Sequence, residues 1–181
     1  TKKLSEDAKR QLHVQIADIL MRDLPDNGQK AYALAHHLIH IPNDPERCHY
    51  LIKAGDLHMQ AFCTEDALQC YSKVLEDLSN QNDEEGDRLF YETAVKYSKI
   101  STARHDTDKV LAIIKAAYAR AQKRNNQGFQ ALLLMHRAKN EWLRSRYRNA
   151  LKQFEHGWDL AKELNDPKIL KPATTFSAFF L

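Results

Sequence analysis

The chain has 181 residues, 43% of them hydrophobic and 28% charged, which suits a folded domain with a core and excludes a disordered chain. No apolar run approaches the roughly 18 residues of a membrane helix, and five glycines with five prolines are too few for the many turns of a sheet protein. The formal charge of +3 conceals an asymmetry: residues 1–90 hold ten Lys and Arg against sixteen acids, and residues 91–181 hold seventeen against eight.

In chain order the helical period dominates. Leu12, Ile16, Ile19 and Leu20 form an apolar stripe after Ser5, a candidate N-cap, and Pro25-Asp26-Asn27-Gly28 ends that segment. A second helix is predicted from about Lys30 to Ile41. Asn43-Asp44-Pro45 then restarts the chain, with proline suited to a first turn. The third helix carries Leu51, Ile52, Ala54, Leu57 and Ala61. A fourth, capped by Thr64, turns Ala67, Leu68, Tyr71, Val74, Leu75 and Leu78 inward. The polar break at 80–83 precedes a fifth helix from about Glu84 to Arg104. A sixth follows Asp106-Thr107, with Val110, Ile113, Ile114 and Ala117 on one face. Asn125 to Gly128 separate it from a seventh helix at 129–144, an eighth spans 147–164, and Asp166-Pro167 opens a ninth. No segment alternates as a strand would.

The helices pair, and the pairs repeat. Ala67, Val110 and Ala150 lie 43 and 40 residues apart; each is followed four residues later by a large side chain, Tyr71, Ile114 or Phe154. Three further on stands a smaller one, Val74, Ala117 or Gly157, and twelve before each anchor stands Gly55, Ser98 or Ala138. Small residues let two helices approach closely, and the large residue plugs the gap to the next pair.

This register resembles the tetratricopeptide repeat, best over residues 48–81, where Leu51, Gly55, Ala67, Tyr71 and Leu75 fit. His58 stands where that family has an aromatic and Ser79 where it has proline, and the spacing here exceeds the family's period of about 34 residues. A second resemblance covers residues 8–78, through L-H-V-Q-I-A-D-I-L (12–20), A-Y-A-L-A-H-H-L (31–38) and L-I-K-A-G-D (51–56). It is to the helical region that follows the nucleotide-binding module in large bacterial STAND-type signalling ATPases. The sequence has no G-x-x-x-x-G-K-[ST] phosphate loop of its own.

The expected fold is therefore all-α: a right-handed α-solenoid of eight or nine helices in one tetratricopeptide-like domain. Its pairs would be 5–41, 45–80, 84–123 and 129–164, with a partial helix at 167–181. A start at Thr1 without methionine, and an end on Phe176, Ala178, Phe179, Phe180 and Leu181, suggest a fragment of a longer protein.

What the tetratricopeptide resemblance implies about a site is a groove lined by the first helix of each pair. At matching positions these are Ile52, Asp56, Met59, Val95, Lys99, Thr102, Met135, Lys139 and Trp142. Asp56 replaces the asparagine that such repeats use to clamp a terminal carboxylate. Met and Trp anchors beside two lysines suit an acidic or amphipathic protein segment. The expectation is a non-catalytic, cytoplasmic protein-interaction module of a bacterial signalling or transcriptional regulator. It needs no cofactor or membrane, and it binds another protein or a sister ATPase or output domain. Self-association through the apolar C-terminal end is a further possibility.

Three other features invite chemistry. Nine basic residues and a single acid, Glu141, lie between Arg120 and Lys152. Within them Arg144, Arg146 and Arg148 are interleaved with Trp142 and Tyr147, a pattern nucleic-acid surfaces use; the alternative is a solvated rim. His36 and His40, one turn apart, define a metal-dependent alternative, with His49 or His58 able to approach in space. The HExxH pattern is absent, and histidines packed between helices account for them as well. Cys48, Cys63 and Cys70 form no CxxC, which points to free thiols, and Cys63 stands before a helix start where a thiolate is stabilised.

Overall fold

The structure, a computed structural model, describes residues 4–100 and 107–180. Among the described residues there is no strand; the chain is all-α, with nine α-helices and one 3-10 turn. None of these helices is long and apolar enough to cross a membrane. The chain divides into two compact units, 1–81 and 82–181.

The first unit contains α1 (Glu6–Asp23), α2 (Gly28–Leu38), α3 (Cys48–Gln60) and α4 (Thr64–Asp77), each packed on the next. Local chemistry explains the breaks. The Ser5 hydroxyl accepts the Ala8 N–H at 3.2 Å, and the Asn27 side chain accepts that of Lys30 at 3.1 Å, satisfying first-turn donors that lack helical partners. Pro45 opens the 3-10 turn Pro45–Arg47 that leads into α3.

Two expectations need correction here. Leu12 and Ile19 are exposed, because α1 turns a different stripe toward its neighbour: His13, Val14, Ile16, Leu20 and Met21 are half-buried around the fully buried Ala17. Thr64 is the first helical residue of α4; the cap position falls on Cys63, which makes no side-chain cap bond.

The α3–α4 hairpin is the tightest contact in this unit. A Cβ placed on Gly55 would lie 2.5 Å from Cε1 of Tyr71. The Tyr71 ring is buried, and its hydroxyl donates to Asp56 Oδ1 at 2.6 Å, so it has no room to retreat. Two buried ionic side chains of the unit find partners through one or more of their polar atoms. Lys30, buried, donates to the carbonyls of Met21 and Leu24 at 2.5 and 3.1 Å, placing a cation on the C-terminal end of α1. Asp77, also buried, pairs with Lys73 and accepts the Asn43 N–H at 3.0 Å.

The second unit contains α5 (Glu84–Ile100), α6 (Thr107–Lys123), α7 (Gln127–Leu143), α8 (Tyr147–Leu164) and α9 (Pro167–Phe180). Helix five was expected to reach Arg104; residues 101–104 lie outside the described residues. Each helix packs on the next, and α5 also touches α7 while α7 touches α9, so every second helix stacks as in a solenoid. Asn126 accepts the Phe129 N–H at 3.1 Å to start α7, and Asn165, left-handed at φ 48°, ends α8.

Gly157 repeats the device of Gly55: a Cβ there would lie 2.9 Å from the Ala131 carbonyl oxygen. The close approach belongs to a core of Ala131, Met135, Ala161, Ile169 and Ala173. At the other end the fully buried Asp87 accepts from Arg120 at 3.2 Å and Arg124 at 2.7 Å, tying α5 to the last turn of α6 and the residue beyond it.

In an ordinary helix, glycine-to-alanine stabilises by up to about 1 kcal/mol. At Gly55 the clash with a held aromatic ring outweighs that gain, and overpacking costs about 1–3 kcal/mol. Gly55→Ala is expected to lower the urea midpoint of the chain. Gly28→Ala, whose Cβ would meet only the movable end of the Leu57 side chain at 3.3 Å, is expected to leave it near wild type.

Candidate functional site

The most developed site lies in the second unit. A cavity of about 650 Å³ is lined by Lys99 from α5, by His136 and Lys139 from α7, and by Pro167, Lys168, Lys171, Pro172, Thr175 and Phe176 from α9. Three alternate helices of the stack thus contribute one wall each. Four of the nine lining residues are lysines and none is an acid. Among the described residues no ion pair or hydrogen bond is made by the ammonium group of any of these four lysines, although the Lys168 backbone N–H donates to the Asp166 carboxylate at 2.9 Å.

His136 sits at the cavity wall, 3% exposed, with Nδ1 2.9 Å from the Ser98 hydroxyl oxygen. The Ser98 hydroxyl also lies 3.0 Å from the Val95 carbonyl, so it bridges the imidazole and the backbone of its own helix. The Phe176 ring meets the imidazole edge-on at 4.9 Å. Burial, and then the charges of Lys99 and Lys139, push the His136 pKa down to about 3, so the ring is neutral. The cavity therefore joins an apolar, aromatic wall to a rim of four positive charges.

The nine groove positions have different fates. Lys99 is exposed and Lys139 half-buried, and both face this cavity. Val95 and Met135 are buried, Met135 fully, inside the helix stack. Trp142 is half-buried, edge-on to Tyr147 at 4.8 Å. Thr102 lies outside the described residues. In the first unit Ile52, Asp56 and Met59 are half-buried on α3, and Asp56 holds the Tyr71 hydroxyl. Lys168 and Lys171 were missed because α9 was read as a partial helix beyond the last complete pair. The signal was there: as the first helix of a following pair, it places them on the same side as Lys99 and Lys139.

The arginine cluster differs from the lysine cavity in its partners. Arg144 pairs with Asp108 at 2.5 Å and Arg146 approaches Glu141 at 3.5 Å, while Arg148 is exposed. Two of the three charges are thus engaged within the chain, which weakens a nucleic-acid reading.

The histidines gather on α1 and α2. His13 Nδ1 is 3.0 Å from His37 Nδ1, so one ring donates and the other accepts. His40 stacks on His13 at 4.5 Å, and His36 lies edge-on to His37 at 5.1 Å. Burial, followed by neighbouring imidazole charge, lowers the pKa of His37 and His40. This is a packed aromatic cluster. Among the described residues, the one group of three metal-type donors within 4.8 Å is His58, Cys63 and Asp66, which includes neither His36 nor His40. Burial, reinforced by Asp77 and Asp66 respectively, raises the thiols of Cys48 to about 12 and Cys70 to about 11, so neither is a nucleophile at neutral pH.

Comparison with protein-family models, with curated proteins and with solved structures returns no match for this chain.

The His136 environment has a consequence for stability. Its folded pKa of about 3 lies below the ordinary histidine value of about 6.5, so between those values the unfolded chain binds the extra proton. Stability is therefore expected to fall as pH drops from about 6.5, by up to about 1.4 kcal/mol per pH unit from this group. Denaturant titrations at about pH 7 and about pH 5 measure the slope. His136→Gln, which keeps a polar group for Ser98 but takes up no proton, is expected to flatten it.

Proposed function

We propose that this chain is a non-catalytic, tetratricopeptide-like interaction module. It binds an acidic, amphipathic segment of another protein, or of a sister domain, against the lysine-lined cavity of the second unit. The observation that carries this reading is the convergence of Lys99, Lys139, Lys168 and Lys171 from α5, α7 and α9, with no acid among the residues that line the cavity, around the apolar groups of Pro167, Pro172 and Phe176. Four ammonium groups around one cavity repel one another, and a ligand with two or more carboxylates relieves that repulsion. An apolar side chain on the same segment fills the space between them. Binding of this kind acts on an attached domain through different affinity for its two states. The helical words shared with STAND-type ATPases make a cytoplasmic bacterial signalling or transcriptional regulator the setting we propose.

Fluorescence anisotropy tests the reading directly. A labelled acidic peptide carrying one phenylalanine is expected to bind the whole chain, more weakly as salt rises, and its lysine-substituted counterpart is not. Reversing two charges at about 1 kcal/mol or more each predicts at least ~10-fold weaker binding for Lys99→Glu/Lys139→Glu. Arg146→Glu/Arg148→Glu is expected to leave the affinity unchanged. Equal binding of both peptides, or a loss confined to the arginine variant, removes the proposal.

A further inference from the structure

The α3–α4 turn of the first unit brings three chemically different donors together. The ligand atoms of His58, Cys63 and Asp66 all lie within 4.8 Å of one another, and His58 Nδ1 is 3.8 Å from Asp66 Oδ2. Donors around a tetrahedral zinc ion, with bonds of about 2.0–2.3 Å, stand about 3.3–3.8 Å apart. Small rotations of the half-buried His58 and the exposed Cys63 and Asp66 side chains therefore convert this triangle into a coordination face.

The backbone under the triangle is fixed. The Cys63 N–H donates to the His58 carbonyl at 2.8 Å, and that of Phe62 to Met59 at 3.1 Å. These bonds lock the last turn of α3 to the first of α4, within the hairpin that the Gly55–Tyr71 contact holds shut. From α2, the Tyr32 ring meets His58 edge-on at 4.8 Å and orients it. Cys63 is a free, exposed thiol at the cap position of α4, and Asp66 lies in its first turn.

An independent feature supplies a fourth position. A second cavity, of about 220 Å³, is lined by His58 and Asp66 together with Tyr32, His36 and Gln69, among others. It leaves room beside the triangle for a water or other exogenous ligand, with the His36 imidazole on the same wall. One thiolate, one imidazole and one carboxylate match the preferences of zinc, with its borderline softness; magnesium and calcium favour oxygen donors.

From this geometry we infer that the α3–α4 turn binds a zinc-class divalent cation through His58, Cys63 and Asp66, with its remaining coordination position open to the adjoining cavity. The ion clamps the end of the hairpin, so its loss loosens α3 against α4. This inference concerns the first unit and stands independently of the peptide-binding proposal.

The test uses the whole chain under reducing, anaerobic conditions. Cobalt(II) titration is expected to give one ion per chain, with a near-ultraviolet thiolate-to-cobalt charge-transfer band that Cys63→Ser abolishes. Zinc competition against a chromophoric chelator is expected to show about 100-fold weaker binding for His58→Gln and for Asp66→Asn, and no change for His40→Gln. Zinc is also expected to raise the melting temperature of the wild type and not of Cys63→Ser. Circular dichroism identifies a variant that has failed to fold; the wild-type cobalt spectrum needs no variant. A wild-type spectrum without the thiolate band, unchanged affinity in folded Cys63→Ser, or a loss on His40→Gln in place of His58→Gln overturns the inference.

Discussion

How closely one helix can approach another is the constraint on which both units depend. Helix axes usually pack 8–10 Å apart, with the distance set by the side chains at the contact. Gly55 and Gly157 occupy sites where even one carbon would collide, with a held tyrosine ring in the first case and a backbone carbonyl in the second. Ala54, Ala67, Ala131, Ala138, Ala150 and Ala161 extend the same rule along the facing surfaces, all fully buried. Among the bulky buried side chains, Tyr71, Ile114 and Phe154 each stand one helical turn from a small residue, which is what the repeat register encodes. A chain built this way derives its stability from many close interhelical contacts.

Charge is sorted on the same scaffold. Buried ions are paired: Lys73 with Asp77, and Arg120 and Arg124 with Asp87. Removing either partner would strand the other in low dielectric, so such pairs are structural. Among the described residues the ammonium groups around the second unit's cavity have no such pairing, although they surround a neutral, buried imidazole. Like charge gathered beside an apolar wall carries an electrostatic cost, and in the function we propose an anionic, partly apolar segment would relieve it.

Much of this was readable from residue order. The helices, the breaks between them and the spacing of Gly55, Ala67 and Tyr71 follow from periodicity, because a helix must hide one stripe and small residues mark where it touches a neighbour. Reading failed where two apolar stripes competed. In α1 Leu12 and Ile19 of the expected stripe are exposed, and the helix buries Ala17 with Ile16 and Leu20 half-buried beside it, since alanine allows a closer approach than leucine does. Val95 and Met135 were assigned to a groove by analogy with a repeat register, and the stacking of α5 on α7 buries them one step deeper.

Composition and period alone settle that this is an all-helical chain of repeated hairpins, acidic first and basic later, because helix formation and hairpin pairing are governed by neighbours within one or two turns. Which charges are free could not come from that source. Arg144 and Lys139 look equally basic in the linear order, but Asp108 lies 36 residues before Arg144 and meets it only through the fold. Lys168 and Lys171 join Lys99 only because α9 stacks beside α7. Electrostatic interaction depends on distance in space, and that distance is decided by packing between helices far apart in the chain.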